Sequence, residues 1–153
     1  MADTCTFEHV WDVVIEAPAE AVYDYVTNPH SWPEWLAASH HIDSPDRPLV
    51  AGERFLERWH TRKGEAVLNW IITESDRPRL WIGETGTEFL GPIVVRYDFE
   101  AVAGGTRYVR TVTNPARPKP ATAEMAARMD EEAALGLANI KRIVEERVSA
   151  GSG

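Results

Sequence analysis

Glu57 and Glu74 are the two carboxylates in this sequence that are best placed to do chemistry, because each continues the apolar face of a predicted strand. Glu57 lies between Phe55 and Trp59 on the odd-numbered face of residues 53–60. The face that ends at Glu74 carries three alternating apolar residues, namely Leu68, Trp70 and Ile72. Successive side chains of a strand point to opposite sides of a sheet, so both carboxyl groups are predicted to point inwards. There, each could serve as a general acid or base.

Arg110 is the third charged residue with a predicted inward position, on the even-numbered face of residues 106–113. A Gly-Gly turn at residues 103–105 pairs this strand with the one before it, which brings Tyr97 and Phe99 close to the guanidinium. In a cavity, Arg110 could hold a carbonyl or enolate oxygen. The alternative is a buried Arg–Glu pair, or strand ends that are open to water, since a lone buried charge costs several kcal/mol.

A long amphipathic helix over residues 122–148 is predicted to cover the strands that carry these charges. Its apolar residues recur at steps of three and four, which is the helical period. They are Met125, Met129, Ala133, Leu137, Ile140, Val144 and Val148. A stiff connector with Pro115, Pro118 and Pro120 leads into this helix. A helix with a single apolar stripe lies across a sheet, and a curved sheet would leave a pocket between the two.

The rest of the chain is predicted to form one strand, two short helices and then six more strands. The helices cover residues 19–27 and 32–36. The strands cover residues 7–16, 39–44, 53–60, 66–74, 80–87, 93–102 and 106–113. The inward face of residues 80–87 is left open, because Trp81 competes with apolar residues on the other face.

Length and charge indicate one acidic domain over residues 1–153, with a disordered tail at residues 151–153. Lys and Arg number 16 against 24 Asp and Glu, a net charge of −8, which disfavours binding to nucleic acid and to anionic membranes. No apolar segment has the length of a membrane span, and the N-terminus lacks the pattern of a signal peptide. We therefore expect a cytoplasmic protein without membrane insertion.

No cofactor or metal is predicted. The single cysteine, Cys5, cannot form an internal disulfide, and no Cys-x-x-Cys, His-x-x-x-His or glycine-rich phosphate loop occurs.

Among the histidines, His9 is predicted to be a structural residue on the inward face of the first strand. His40 and His41 either reach the mouth of a cavity or form a solvated surface pair.

Aromatic and other apolar residues on the inward faces form the predicted wall of a binding site. Six tryptophans are many for this length, and a buried indole N–H needs a hydrogen-bond partner, which makes indole a costly core filler. Plain core packing is the alternative for each ring. The predicted ligand-binding residues are Trp32, Trp35, Leu36, Phe55, Trp59, Leu68, Trp70, Ile72, Tyr97, Phe99, Tyr108, Met125 and Met129.

Several short segments, together with this order of elements, resemble the polyketide aromatase/cyclase branch of the START-like, or birch-pollen-allergen, superfamily. The segments are Ile15-Glu16-Ala17-Pro18, Val22-Tyr23-Asp24, Trp32-Pro33-Glu34, Thr85-Gly86, Ala101-Val102-Ala103-Gly104-Gly105-Thr106 and Asn139-Ile140-Lys141-Arg142-Ile143-Val144-Glu145. The resemblance implies an α+β helix-grip fold, in which a seven-stranded antiparallel sheet wraps around the long C-terminal helix and two short helices follow the first strand. Because the segments are structural, they support the fold more than a reaction.

In that family a deep cavity folds a poly-β-ketone chain, and aldol cyclisation and dehydration follow there. Family members place an arginine on the fourth strand and a tyrosine after the second short helix. In this sequence the arginine position aligns with Glu74 and the tyrosine position falls near Ser39, so that particular pair is absent. Cyclase chemistry would need other groups here, and Arg110, Glu57 and Glu74 are the predicted catalytic candidates.

The sequence therefore predicts a pocket for a bulky hydrophobic, aromatic or polyketide-like molecule, with cyclase, aromatase or dehydratase chemistry by acid–base catalysis. One alternative is a non-catalytic carrier or sensor of a lipid, terpenoid or quinone-like ligand. Another is a chaperone co-regulator of related fold, which should have an exposed interaction surface and no large cavity. The oligomeric state is left open between monomer and homodimer.

Overall fold

The computed structural model describes residues 5–36, 41–61, 64–87, 91–117 and 122–151. In chain order the strands are β1 Cys5–Ile15, β2 His41–Asp43, β3 Arg54–Thr61, β4 Gly64–Asp76, β5 Leu80–Thr87, β6 Gly91–Val102 and β7 Gly105–Arg117. Between β1 and β2 lie α1 Ala19–Val26, a 3₁₀ helix Pro29–Ser31 and α2 Trp32–Trp35, and after β7 follows α3 Ala123–Gly151.

All seven strands form one antiparallel sheet in the order β1-β7-β6-β5-β4-β3-β2. Only β1 pairs out of sequence order, because it returns to the last strand. The long helix α3 packs against β1, α1 and α2. These features confirm the predicted helix-grip fold, with its two short helices after the first strand and its long C-terminal helix.

Side-chain alternation places the core on one face of this sheet. In β1 the odd-numbered residues from Phe7 to Ile15 are buried or half-buried, and the even-numbered residues between them are exposed. The buried residues of β6 also alternate, and they are Ile93, Val95, Tyr97 and Phe99. A slip of one residue would turn all of these side chains to water, so burial holds the strands in register.

The turn between β6 and β7 needs glycine at two adjacent positions, for different reasons. Gly104 has a φ of +80°, in the left-handed region that favours glycine. A Cβ on Gly105 would lie 2.1 Å from the backbone oxygen of Ile15. The close approach continues at Thr106, whose Oγ1 donates to the carbonyl of Ala17 at 2.8 Å. This junction positions the start of α1 against the sheet.

Pro115 lies inside β7, so the prediction that it belongs to the connector is wrong. The pairing of β1 with β7 is irregular between Cys5 and Phe7, where two residues of β7 face one residue of β1. Such a bulge tolerates a residue that lacks an N–H group. The other two prolines of the predicted connector lie outside the described residues.

Helix α3 buries its predicted apolar stripe only after its first turns. The buried residues of the stripe are Ala133, Leu137, Ile140 and Val144. Met125 is 38 % exposed and Met129 is half-buried. The helix begins after Thr122, whose Oγ1 accepts a hydrogen bond from the N–H of Met125 at 3.1 Å. It continues to Gly151, and the rest of the predicted tail lies outside the described residues.

Candidate functional site

A cavity of about 270 Å³ lies between the inner face of the sheet, the end of α2 and the first turns of α3. Its lining residues are Trp11, Trp32, Leu36, Glu57, Trp70, Ile93, Val95, Arg110, Val112, Asn114, Met125, Met129, Glu132 and Ala133. The wall is mostly apolar and carries a few polar groups, which is typical of small-molecule sites.

Glu57, on β3, is fully buried and lies on the cavity wall. Its Oε1 accepts a hydrogen bond from the indole Nε1 of Trp70 at 3.1 Å. The Phe55 ring stacks on the Trp70 ring, with centroids 5.9 Å apart. The predicted inward position of Glu57 is therefore confirmed. A carboxyl group held in this way can take or give a proton at a defined point of the cavity.

Arg110, on β7, lies on the same wall and is only partly exposed, which confirms its predicted inward position. Its cross-strand neighbours are Trp11 on β1 and Tyr97 on β6. The guanidinium carbon lies 5.4 Å from the centre of the Trp35 ring, within cation–π range. Its Nε is buried and has no hydrogen-bond acceptor among the described residues. Among the described residues, Arg110 forms no close ion pair with a carboxylate, so the direct Arg–Glu pair of the alternative is not found there.

Two fully buried phenols accompany Arg110. Tyr97 and Tyr108 meet edge to face, with ring centroids 5.4 Å apart. Burial raises the pKa of Tyr97 to about 12, although the Arg110 guanidinium acts in the opposite direction. Burial also raises the pKa of Tyr108 well above its ordinary value. Both phenols are therefore neutral near pH 7, so they do not balance the charge of Arg110.

Trp32 joins α2 to the rings of the sheet. Its ring meets those of Phe55, Trp70 and Trp81 edge to face, with centroid distances of 5.2, 5.8 and 6.2 Å respectively. Its Nε1 donates to the carbonyl of Val26 at 3.0 Å. These contacts hold α2 in place and keep Trp32 on the cavity wall.

Trp81 shows which face of β5 points inwards. It is fully buried, its ring stacks on Tyr97 at 5.1 Å, and its Nε1 donates to the carbonyl of Leu49 at 3.1 Å. Thr85 is buried on the same face, whereas Ile82 is only half-buried on the other. The odd-numbered face of β5 is therefore the inner one, which the apolar pattern alone does not indicate.

Glu74 is exposed, so its predicted inward position is wrong. The pairing of β4 with β5 shifts between Ile72 and Glu74. This bulge at Thr73 adds one residue to β4 and reverses the alternation after Ile72. A catalytic role for Glu74 would need access to the cavity that this geometry does not provide.

Only part of the predicted ligand-binding set lies on the cavity wall, namely Trp32, Leu36, Trp70, Met125 and Met129. Another part is buried in the core without lining the cavity, namely Trp35, Phe55, Leu68, Ile72, Tyr97, Phe99 and Tyr108. Core rings pack on one another, as Phe99 does on Tyr108 with centroids 5.3 Å apart. The Trp59 side chain and Ser39 lie outside the described residues. Ligand contact by any member of the set stays a prediction.

Sequence reasoning missed several residues of the wall, which are Trp11, Ile93, Val95, Val112, Asn114, Glu132 and Ala133. The first four lie on strand faces that periodicity predicts to be inward, and Ala133 lies on the predicted apolar stripe of α3, so their inward positions follow from the sequence although the predicted ligand-binding set omits them. Asn114 continues the inner face of β7 beyond the predicted end of that strand. Glu132 stands among the charged residues of α3, and nothing in the helical period indicates its place on the wall.

A polar cluster, here called the Asp130 clasp, joins α3 to β1 beside the cavity. Asp130 Oδ1 accepts a hydrogen bond from Trp11 Nε1 at 2.9 Å and lies 2.9 Å from His9 Nδ1. The hydrogen bonds from Trp11 and then from His9 lower the pKa of Asp130. His9 thus has a structural contact, as predicted. His41 is exposed, and His40 lies outside the described residues.

The described ranges contain neither a metal-binding cluster nor a membrane-spanning helix. Within them, no group of three or more His, Cys, Asp or Glu side chains could hold a metal ion. No helix of this part of the chain combines the length and the apolar character that crossing a bilayer requires.

Comparison with known proteins gives a family match over most of the chain. A family model described as "Polyketide cyclase / dehydrase and lipid transport" matches residues 5–145. The sequence is also similar to "Penitrem biosynthesis cluster 1 protein I" of Penicillium ochrochloron. The two are 26% identical over 117 residues, which cover 71% of this chain and 76% of that protein.

Solved structures of low sequence identity share the fold. Ara h 8.0201 has a TM-score of 0.69 at 14% identity, and the match covers 92% of this chain and 98% of that chain. The di-domain ARO/CYC StfQ from the steffimycin biosynthetic pathway has a TM-score of 0.73 at 13% identity, with 94% of this chain and 52% of that chain covered. The di-domain ARO/CYC BexL from the BE-7585A pathway has a TM-score of 0.69 at 18% identity, with 92% and 50% covered.

Proposed function

Because the chain belongs to the polyketide cyclase/dehydrase and lipid transport family, we propose that it binds a bulky, largely apolar molecule of aromatic or polyketide type and cyclises or dehydrates it without a cofactor. The observation that carries this proposal is the presence of Glu57 and Arg110 on the wall of one mostly apolar cavity. An apolar wall supports binding, and a carboxyl group with a guanidinium supports acid–base chemistry.

The apolar part of the wall supports binding of a flat, hydrophobic molecule. Trp32 and Trp70 offer ring surfaces, and Ile93, Val95 and Val112 add aliphatic contacts. Apolar surface removed from water contributes about 25 cal/mol per Å². A molecule that fills the cavity therefore gains affinity from its carbon skeleton alone.

In the proposed reaction, Arg110 holds a ketone oxygen of the bound chain while the Glu57 carboxylate takes a proton from the carbon between two carbonyls. The enolate carbon attacks a second carbonyl carbon, which forms the C–C bond, and the resulting alkoxide takes the proton back from Glu57. The Glu57 carboxylate then takes a second proton from the same carbon and gives it to the hydroxyl group, whose C–O bond breaks as it leaves as water and a C=C bond forms. The guanidinium stabilises the enolate oxygen, and the wall holds the two carbons close together.

A second candidate is a non-catalytic carrier of a lipid, terpenoid or quinone-like molecule. Met125 and Met129 lie on the wall at the exposed start of α3, and methionine adapts to varied ligand shapes. The family description includes lipid transport as well as cyclisation. The cavity of about 270 Å³ disfavours a chaperone co-regulator, which should lack a large cavity.

Binding is tested first, without any assumption about chemistry. Native mass spectrometry of freshly purified protein shows whether a small hydrophobic molecule copurifies. Quenching of the tryptophan fluorescence by aromatic polyphenols measures binding directly. If nothing copurifies and no quenching occurs, the enzyme and the carrier proposals are both wrong.

Turnover of a poly-β-ketone mimic then separates an enzyme from a carrier. We expect a cyclised or dehydrated product with the wild-type protein, and a rate lower by about 100-fold or more with Glu57→Gln. Glu84→Gln is the matched control, because Glu84 is exposed on β5. Tight binding with no product would support the carrier instead.

A further inference from the structure

We propose that the bound molecule carries one acidic oxygen group, such as a carboxylate or a stabilised enolate, and that Arg110 forms an ion pair with it. This inference rests on the proposed function and narrows its ligand class. Among aromatic and polyketide-like compounds, it selects those with a single negative charge over neutral ones.

Arg110 differs from several surface arginines because it forms no close ion pair in the part of the chain that the structure describes. Arg47, Arg77 and Arg107 each pair with a carboxylate, at 2.6, 2.8 and 2.9 Å. Arg110 forms no such pair with a described residue, and its buried Nε lacks an acceptor there. A guanidinium stays protonated in proteins, so a positively charged N–H donor on the cavity wall is available to an oxygen of a ligand.

The contacts that hold Arg110 in place do not neutralise it. The Trp35 ring lies 5.4 Å from the guanidinium carbon, and Trp11 and Tyr97 are its neighbours on the adjacent strands. The Tyr97 phenol is neutral near pH 7, because burial raises its pKa to about 12. The charge is therefore fixed in position before a ligand enters, and an anion does not need to reorganise the site.

The charges elsewhere on the wall determine how many acidic groups a ligand can carry. The buried Nε of Arg110 lacks an acceptor among the described residues, and an anionic oxygen at Arg110 would supply one. Glu57 and Glu132 line the same cavity, and they oppose a second negative charge. The wall therefore favours a monoacid whose acidic group lies at Arg110 and whose rings lie against Trp32 and Trp70.

Two fluorescent probes of nearly the same shape test this inference. 8-Anilinonaphthalene-1-sulfonate is an anion, and N-phenyl-1-naphthylamine is its neutral counterpart. We expect Arg110→Met to weaken binding of the sulfonate about tenfold or more and to change binding of the neutral probe by no more than about twofold. Arg107→Met is the matched control, because Arg107 is exposed on the same strand, and it should leave both affinities unchanged.

The outcomes distinguish this inference from the proposed function. If neither probe binds the wild-type protein, the proposed binding function fails and the inference fails with it. Both probes could bind to the wild-type protein while Arg110→Met lowers their two affinities by the same factor or leaves both unchanged. In that case the inference is wrong and the proposed function stands.

A second measurement uses only the wild-type protein, so it tests the inference even if Arg110→Met does not fold. The wild-type protein is titrated with 2-naphthoate and with methyl 2-naphthoate, which differ in charge. The inference predicts that the acid binds about tenfold more tightly or better. An ester that binds as tightly as the acid would overturn it.

Discussion

Glu57 is buried from bulk water and yet lies on the wall of a cavity, and Trp70 makes this combination possible. The indole N–H donates to Oε1 at 3.1 Å, so the carboxyl group keeps a hydrogen bond inside the protein. A buried carboxyl group without a donor would be strongly destabilising. Trp70 thus has two roles, because its ring lines the cavity and its N–H orients the carboxyl group.

Trp70→Phe removes this donor and keeps an aromatic ring next to Phe55. We expect the free energy of unfolding to fall by about 1–3 kcal/mol, which urea denaturation measures. In a Glu57→Leu background the same change should cost less, by about 0.5 kcal/mol or more, because the acceptor is already gone. Equal costs in both backgrounds would show that the hydrogen bond contributes nothing.

Glu53 is expected to make stability depend on pH. Hydrogen bonds from Arg47, and then from the N–H of Val50, lower the pKa of its carboxyl group to about 2. A lowered folded-state pKa stabilises the protein above the unfolded-state value of about 4.3, and this contribution is lost as the pH falls towards 2. Glu53→Gln should therefore lower Tm by about 1–3 °C at pH 7. Calorimetry should find this difference shrinking below about pH 4.5, and a difference that persists at about pH 2 would contradict the assignment.

Among the elements, α3 combines a packed segment with a weakly packed one. From Ala133 onwards its apolar stripe is buried, whereas the turns before it are largely exposed. Met125 and Met129 of these first turns lie on the cavity wall. The Asp130 clasp joins this exposed segment to β1. We therefore infer that the clasp determines how firmly the start of α3 covers the cavity.

Asp130→Ala removes the acceptor shared by Trp11 and His9. We expect amide hydrogen exchange in residues 123–132 to become several-fold faster, while residues 137–148 keep their protection. Hydrogen exchange followed by mass spectrometry measures both segments. Glu131→Ala changes an exposed neighbour and serves as the control. Exchange that stays the same in Asp130→Ala would show that apolar contacts alone hold the segment.

The whole molecule leaves space between its sheet and its long helix, and this space has consequences for stability as well as for function. Side chains on the wall of an unfilled cavity lack part of the van der Waals contact that a closed core would give them. A bound molecule restores that contact, and a larger side chain could do the same. Ligand binding and stability are therefore expected to respond in opposite directions when the cavity is filled by mutation.

Ala133→Phe places a ring at a buried position of α3 that lines the cavity. We expect binding of N-phenyl-1-naphthylamine to weaken about tenfold or more, with an unchanged or higher Tm. Fluorescence titration and scanning calorimetry measure the two effects. Ala134→Phe adds the same ring at an exposed neighbouring position and should leave binding as it was. Retained binding in Ala133→Phe would mean that the probe occupies another place.

The order of elements, the fold class and the inward positions of Glu57 and Arg110 could be predicted from the sequence by itself. The elements and the inward positions follow from local periods, which are two residues in β1, β3, β6 and β7 and between three and four residues in α3. The fold class is what the resemblance to the family implies. The short motifs that resemble the family lie at strand ends, helix starts and the Gly-Gly turn, so they also support the prediction of the fold.

Only the tertiary structure decided the position of Glu74, the inner face of β5 and the division of the rings between cavity wall and core. A single bulge turned Glu74 outwards, and a carbonyl from a distant segment, that of Leu49, gave the Trp81 indole its partner. The position of α3 likewise placed Glu132 on the wall. Local periodicity follows from the backbone geometry of one element, whereas bulges, cross-strand register and helix position depend on contacts between residues far apart in the chain.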